Sequence, residues 1–104
     1  MTLAVRFSAE ADAELQEAAS WYDRHRPGLG LRFLESVGAI VRQIADSPSA
    51  GSPVPGVADR AIRRRPLPRF PYHLVYLKLP ERIQILAVAH DRRRPAYWQS
   101  RLVE

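Results

Sequence analysis

The chain has 104 residues, no cysteine, 46% hydrophobic and 26% charged side chains, and a formal net charge of +5. That length supports one core and one domain spanning 1–104, and the composition is that of an ordinary globular fold. Disulfide and thiolate chemistry are excluded, and no apolar run approaches the ~20 residues that cross a bilayer. The opening MTLAVRFSAEAD has neither the basic region nor the long apolar region of a signal peptide. A cytoplasmic protein without membrane association is expected.

The charge is lopsided. Residues 1–50 carry five basic and seven acidic side chains, whereas residues 51–104 carry eleven and four. Fifteen of the sixteen cations are arginine, Lys78 being the exception. A GC-rich codon bias would account for arginine over lysine, but not for an excess confined to one half. Arginine offers a planar fork to phosphate or carboxylate, so the basic half points to nucleic acid or an acidic protein partner.

Thr2–Phe7 reads as a strand with Leu3, Val5 and Phe7 on one face. Ser8 is placed to cap a helix over Ala9–His25, with Glu10, Asp12 and Glu14 near its positive end. Glu10, Glu14 and Glu17 read as an exposed face, and Trp21 and Tyr22 as packing residues. Pro27-Gly28-Leu29-Gly30 ends the helix. Phe33, Val37, Ile40 and Ile44, with Leu34 and Val41, predict a second helix to about Asp46, antiparallel to the first. Ser47–Val57 reads as a loop. Arg60–Arg65 predicts a strand with Arg63 and Arg65 on one face and Ile62 and Arg64 on the other. Phe70–Leu79 and Arg82–His90 predict a hairpin turning at Pro80-Glu81. Arg93–Leu102 ends the chain as a loop or short helix. The expected fold is α+β, in the order β-α-α-β-β-β, with the helical hairpin packed on one face of a small antiparallel sheet and the other face open.

Several residues would bear chemistry. Arg63 and Arg65, joined by Arg69 on the open face, would bind phosphates; solvated arginines discouraging edge pairing are the plainer reading. His90 ends a strand just before Asp91-Arg92-Arg93-Arg94. It would serve either as a general acid or base, since imidazole changes charge near neutrality, or simply as a hydrogen-bond partner of the following turn. His73 reads as core or rim packing, and His25 as a favourable partner for a helix C-terminus. Tyr97 and Trp98 would stack on a base or close the core. The three histidines lack a ligand spacing such as H-E-x-x-H, so neither metal nor cofactor is expected. No G-x-S-x-G elbow is present, and Gly28-Leu29-Gly30 follows a helix, so it is no dinucleotide loop.

Four phrases taken together resemble RelE/ParE-type toxins of bacterial type II toxin–antitoxin pairs. They are W-Y near the end of helix one, G-x-G-x-R-F-L opening helix two, F-P-Y-x-L-V-Y, and A-V-A-H-x-x-R-x-P-x-Y-W. The resemblance implies a growth-inhibiting toxin neutralised by a cognate antitoxin. It also implies one of two targets. ParE-like members poison DNA gyrase. RelE-like members are ribosome-dependent, metal-independent mRNA endoribonucleases, and Arg65, Arg69, His90 and Tyr97 would stand for their catalytic set. Arg63, Arg65, Arg69, His73, Arg92, Arg93 and Arg94 would contact nucleic acid or the target under either reading. His73 replaces an arginine of several nuclease members, and A-V-A-H followed by arginine is closer to the ParE pattern, so the resemblance favours the gyrase side.

Overall fold

A computed structural model describes residues 3–59 and 61–102. The chain forms β1 (Ala4–Phe7), α1 (Ala9–His25), α2 (Leu29–Asp46), a 3-10 turn (Pro48–Ala50), β2 (Ser52–Pro53), β3 (Ile62–Pro66), β4 (Tyr72–Lys78), β5 (Arg82–His90) and a 3-10 segment (Tyr97–Leu102). The sheet order is β1-β5-β4-β3-β2. The α+β class and the helical hairpin on one sheet face stand as expected. The sheet itself is mixed, because β1 runs parallel to β5, with Ala4 opposite Arg82 and Phe7 opposite Ile85. Parallel neighbours require a long crossover, and the helices and the other strands supply it. The stretch read as a loop holds both the 3-10 turn and β2, whose Ser52 lies opposite Arg64. Thr2 and Arg60, expected to open two strands, lie outside the described residues.

Local chemistry sets the helix ends. Ser8 Oγ accepts a hydrogen bond from the Ala11 amide at 3.0 Å, with Glu10 and Asp12 in the first turn. At the other end, His25 Nδ1 donates to the Trp21 carbonyl at 2.8 Å. Gly28 adopts φ 90° between the helices, a conformation that costs a glycine little. α2 has no side-chain cap of its own. Asp23 provides one from α1, its Oδ1 accepting from the Gly28 and Gly30 amides at 3.1 and 3.0 Å.

Two cores flank the sheet. Toward the helices, Phe33, Val37, Ile40 and Ile44 of α2 and Ala11 and Ala18 of α1 pack on Leu74, Tyr76, Ile83, Ile85 and Val88. Tyr22, Phe33, Phe70 and Tyr72 form an aromatic cluster there, with ring centroids 5.0–5.3 Å apart along its contacts. The opposite face, expected to be open, is covered. Val54, Ile62, Val75, Leu86, Ala87, Ala89 and Trp98 form a second core, in which Trp98 is 1% exposed. A register shift makes this possible: Val75 lies opposite Ala87 and Tyr76 opposite Ile85, so Leu86 is the extra residue of a bulge. Leu86 and Ala87 therefore both serve the second core.

The helix contact generates a paired prediction. A Cβ at Gly30 would sit 2.5 Å from the Ala19 carbonyl oxygen, whereas one at Gly38 would meet only Arg42 Nη1, at 3.7 Å. Gly30→Ala is expected to destabilise by about 1–3 kcal/mol through overpacking, and Gly38→Ala to stabilise by about 0.5–1 kcal/mol through helix propensity. Urea denaturation of the two variants checks both signs.

Candidate functional site

Strand register decides where the arginines go. Arg63 lies opposite Tyr76 and Arg65 opposite Leu74, so both project to the helix side of the sheet; Arg64, opposite Val75, projects to the far side. The expected grouping of Arg63 and Arg65 with Arg69 on an open face is thus corrected. Ile62 alternates with the two outer arginines and enters the second core, which turns them the other way. Arg63 is committed structurally, its Nη1 donating to the Gly51 carbonyl at 2.8 Å. Nearby, the Tyr76 hydroxyl donates to the Pro48 carbonyl at 2.6 Å, holding the same loop. Arg69 sits exposed in the β3–β4 turn with φ 72° and borders a groove of about 750 Å³ against α2.

The histidines separate. His90 points to the helix side, edge-on to Tyr72 with centroids 5.0 Å apart, and its Nδ1 accepts from the Arg92 amide at 3.0 Å. His73 points to the far side, where its Nδ1 donates to Asp91 Oδ1 at 2.9 Å. Arg92, Arg93 and Arg94 are exposed in the turn after β5. Among the described residues no group of three or more His, Cys, Asp or Glu side chains could hold a metal ion.

Tyr97 belongs to a cluster that sequence reasoning missed. Its hydroxyl donates to Glu14 Oε2 at 2.5 Å, and Glu14 also accepts from Arg101 Nη2 at 2.9 Å, Arg101 Nη1 at 3.0 Å and the Val88 amide at 3.0 Å. The Arg93 guanidinium lies 3.7 Å from the centroid of the Tyr97 ring, a cation–π contact. Glu14 is therefore not part of an exposed face; its side chain is 17% exposed. Its partner Arg101 lies 87 residues away in sequence, beyond the reach of any periodicity argument.

Of the four residues a nuclease would need, His90 and Tyr97 border one small cavity, whereas Arg69 lines the groove beside α2 and Arg65 borders neither. Burial raises the Tyr97 pKa, and the Glu14 hydrogen bond and charge raise it further, so this hydroxyl stays protonated as a donor.

Burial opposes the charge on Glu14, but the hydrogen bonds from Arg101, Tyr97 and Val88 outweigh it and lower the carboxyl pKa below its ordinary value. The Glu14 hydrogen bond in turn raises the Arg101 pKa against its own burial. A folded pKa below the unfolded one adds stability above the ordinary glutamate range, near ~4.3, and loses it as pH falls through the folded value. Glu14→Gln is expected to cost about 2 kcal/mol at neutral pH. That difference from wild type should shrink in acid. Denaturation midpoints at neutral and acid pH measure it, and a pH-independent difference would contradict the assignment.

Comparison with known proteins fits this architecture. No curated protein matches the chain. A solved structure described as the chromosomal ParDE TA system from P. aeruginosa is similar in fold, with a TM-score of 0.72 at 19% identity, over 86% of this chain and 96% of that one. The family model for the ParE toxin of type II toxin–antitoxin systems (parDE) matches residues 5–95, from β1 to the turn after β5. The chain belongs to the ParE toxin family.

Proposed function

We propose that this protein is the toxin of a type II pair, held inactive by a cognate antitoxin, and that when free in the cytoplasm it inhibits DNA gyrase by binding rather than by chemistry. The observation that carries this reading is the family match over residues 5–95. The dispersal of Arg65 and Arg69 away from His90 and Tyr97 supports it against RNA cleavage, because general acid–base catalysis needs its groups around one scissile phosphate. Among the described residues no helix is long and apolar enough to cross a membrane.

Two grooves flank the helical hairpin and suit an antitoxin segment. One lies between α2 and the β3–β4 turn, floored by Ile40 and Phe70 and edged by Arg32 and Arg69. The other, about 620 Å³, lies between α1 and the ends of β4 and β5, with Tyr22 and Tyr72 at its base and Arg24 and Arg93 on its rim. Trp21, 47% exposed and stacked on His25 at 3.8 Å, stands beside the second groove. Apolar floors with charged rims, Glu35 beside Arg32 and Arg69 in the first groove and Glu14 and Glu17 beside Arg24 and Arg93 in the second, favour an amphipathic segment that folds as it binds.

The test pairs purified gyrase with a culture. The protein should stop gyrase supercoiling of relaxed plasmid in vitro, and its induction should leave mRNA ends unchanged while DNA breaks accumulate. Unimpaired supercoiling together with new mRNA ends inside translated frames would overturn the proposal in favour of a ribosome-dependent nuclease.

A further inference from the structure

The far face of the sheet carries a polar site that neither groove includes. His73 and Val75 project to the same side of β4, and Arg64 lies opposite Val75, so Arg64 and His73 are diagonal neighbours. Opposite His73 on β5 stands Ala89, whose methyl leaves the space above it unfilled. The small cavity that His90 and Tyr97 border, about 100 Å³, opens there between Arg64, His73, Asp91 and the edge of Trp98. A shallower depression of about 290 Å³ continues past Arg64 and His73 to Ser52.

The polar groups around this space are unequally occupied. Asp91 is the one carboxylate lining the cavity, and it is engaged by His73. That bond fixes the imidazole by Nδ1, leaving Nε2 with no partner among the described residues. Arg64, a half-buried residue, likewise makes no hydrogen bond or ion pair among the described residues, unlike Arg63 and Arg101. Arg93 and Arg94 also line the cavity, Arg93 with its guanidinium on the Tyr97 ring and 3.9 Å from Glu14 Oε2. A guanidinium fork left free beside an oriented imidazole matches a tetrahedral anion. Arg64 would hold two of its oxygens. His73 Nε2 would donate to a third when the ring is protonated, or accept from a protonated phosphate oxygen when it is neutral.

We propose that the Arg64–His73 cavity binds a phosphate group, carried by a nucleic-acid strand or a free nucleotide. The space is too small for a base and sugar as well, and Trp98 is already buried in the second core, so the contact reads phosphate and not sequence. Binding is measured on the isolated protein, so its failure is distinguishable from failure of the gyrase reading.

The imidazole resonances of His73 and His25 are followed by NMR during titration with inorganic phosphate, AMP and a 5′-phosphorylated oligothymidylate. Saturable movement of His73 with His25 still, weakened at least about tenfold by Arg64→Gln, is the expected result. Stronger binding of the oligonucleotide identifies a strand as the source, and stronger binding of AMP a nucleotide. A motionless His73 overturns the site without reference to any variant. So does an Arg64→Gln protein that is folded by its amide spectrum and titrates like wild type.

Discussion

Everything in this fold has to accommodate β5. Its residues Ile83, Ile85, Leu86, Ala87, Val88 and Ala89 are all buried, so the strand must be covered on two faces and bonded along two edges. β4 satisfies one edge along its length. β1 reaches only as far as Ile85, where the Ser8 amide donates to the Ile85 carbonyl at 3.0 Å. Beyond that point the edge lies open, and each backbone group buried there without a partner costs about 1–3 kcal/mol. Side chains take over: the Val88 amide donates to Glu14 and the Leu86 carbonyl accepts from Arg101 at 2.9 Å. The ion pair of Glu14 and Arg101 thus acts as a short substitute for the missing end of β1.

The remaining placements follow from that substitution. Bringing Arg101 to the strand edge draws the 3-10 segment against the sheet, which sets Trp98 over the far face and Tyr97 under Arg93. The far face is thereby covered by the chain's own end, and accessible surface is displaced to the hairpin grooves and the Arg64–His73 cavity. Glu14 bridges the acidic helical half to the basic half, while most other arginines remain at the surface, where they raise the local positive potential felt by an acidic or phosphate-bearing partner.

Local signals made much of this legible. Ser8 and the acids behind it place the start of α1, Pro27-Gly28 its end, and the run from Arg82 to His90 forms a strand with the residues expected. The faces of β3 were harder to read. Alternation correctly separates Ile62 and Arg64 from Arg63 and Arg65, but a lone apolar residue does not reveal which face it serves when there are two cores. The bulge at Leu86 leaves no mark in so uniformly apolar a strand. β2, two residues long with a proline, is below the reach of any periodicity. Glu14 departs from expectation because an acid in the first half of a helix normally faces water, and only Arg101 and the open β5 edge make its burial favourable. The site residues suffered in the same way: His90 and Tyr97 are noticeable in sequence, whereas the His73–Asp91 pair exists only through a hairpin register.

The central claim is that side chains, led by Glu14, close the edge of β5 that β1 leaves open. Hydrogen exchange at the Val88 amide tests it most directly, because that group has a side chain as its acceptor. The account predicts that Val88 is protected in the native protein as strongly as its ladder-bonded neighbours, and that Glu14→Ala selectively speeds its exchange while Ile83 and Ile85 stay slow. Rapid exchange at Val88 in the native protein, or protection indifferent to the loss of Glu14, would contradict it.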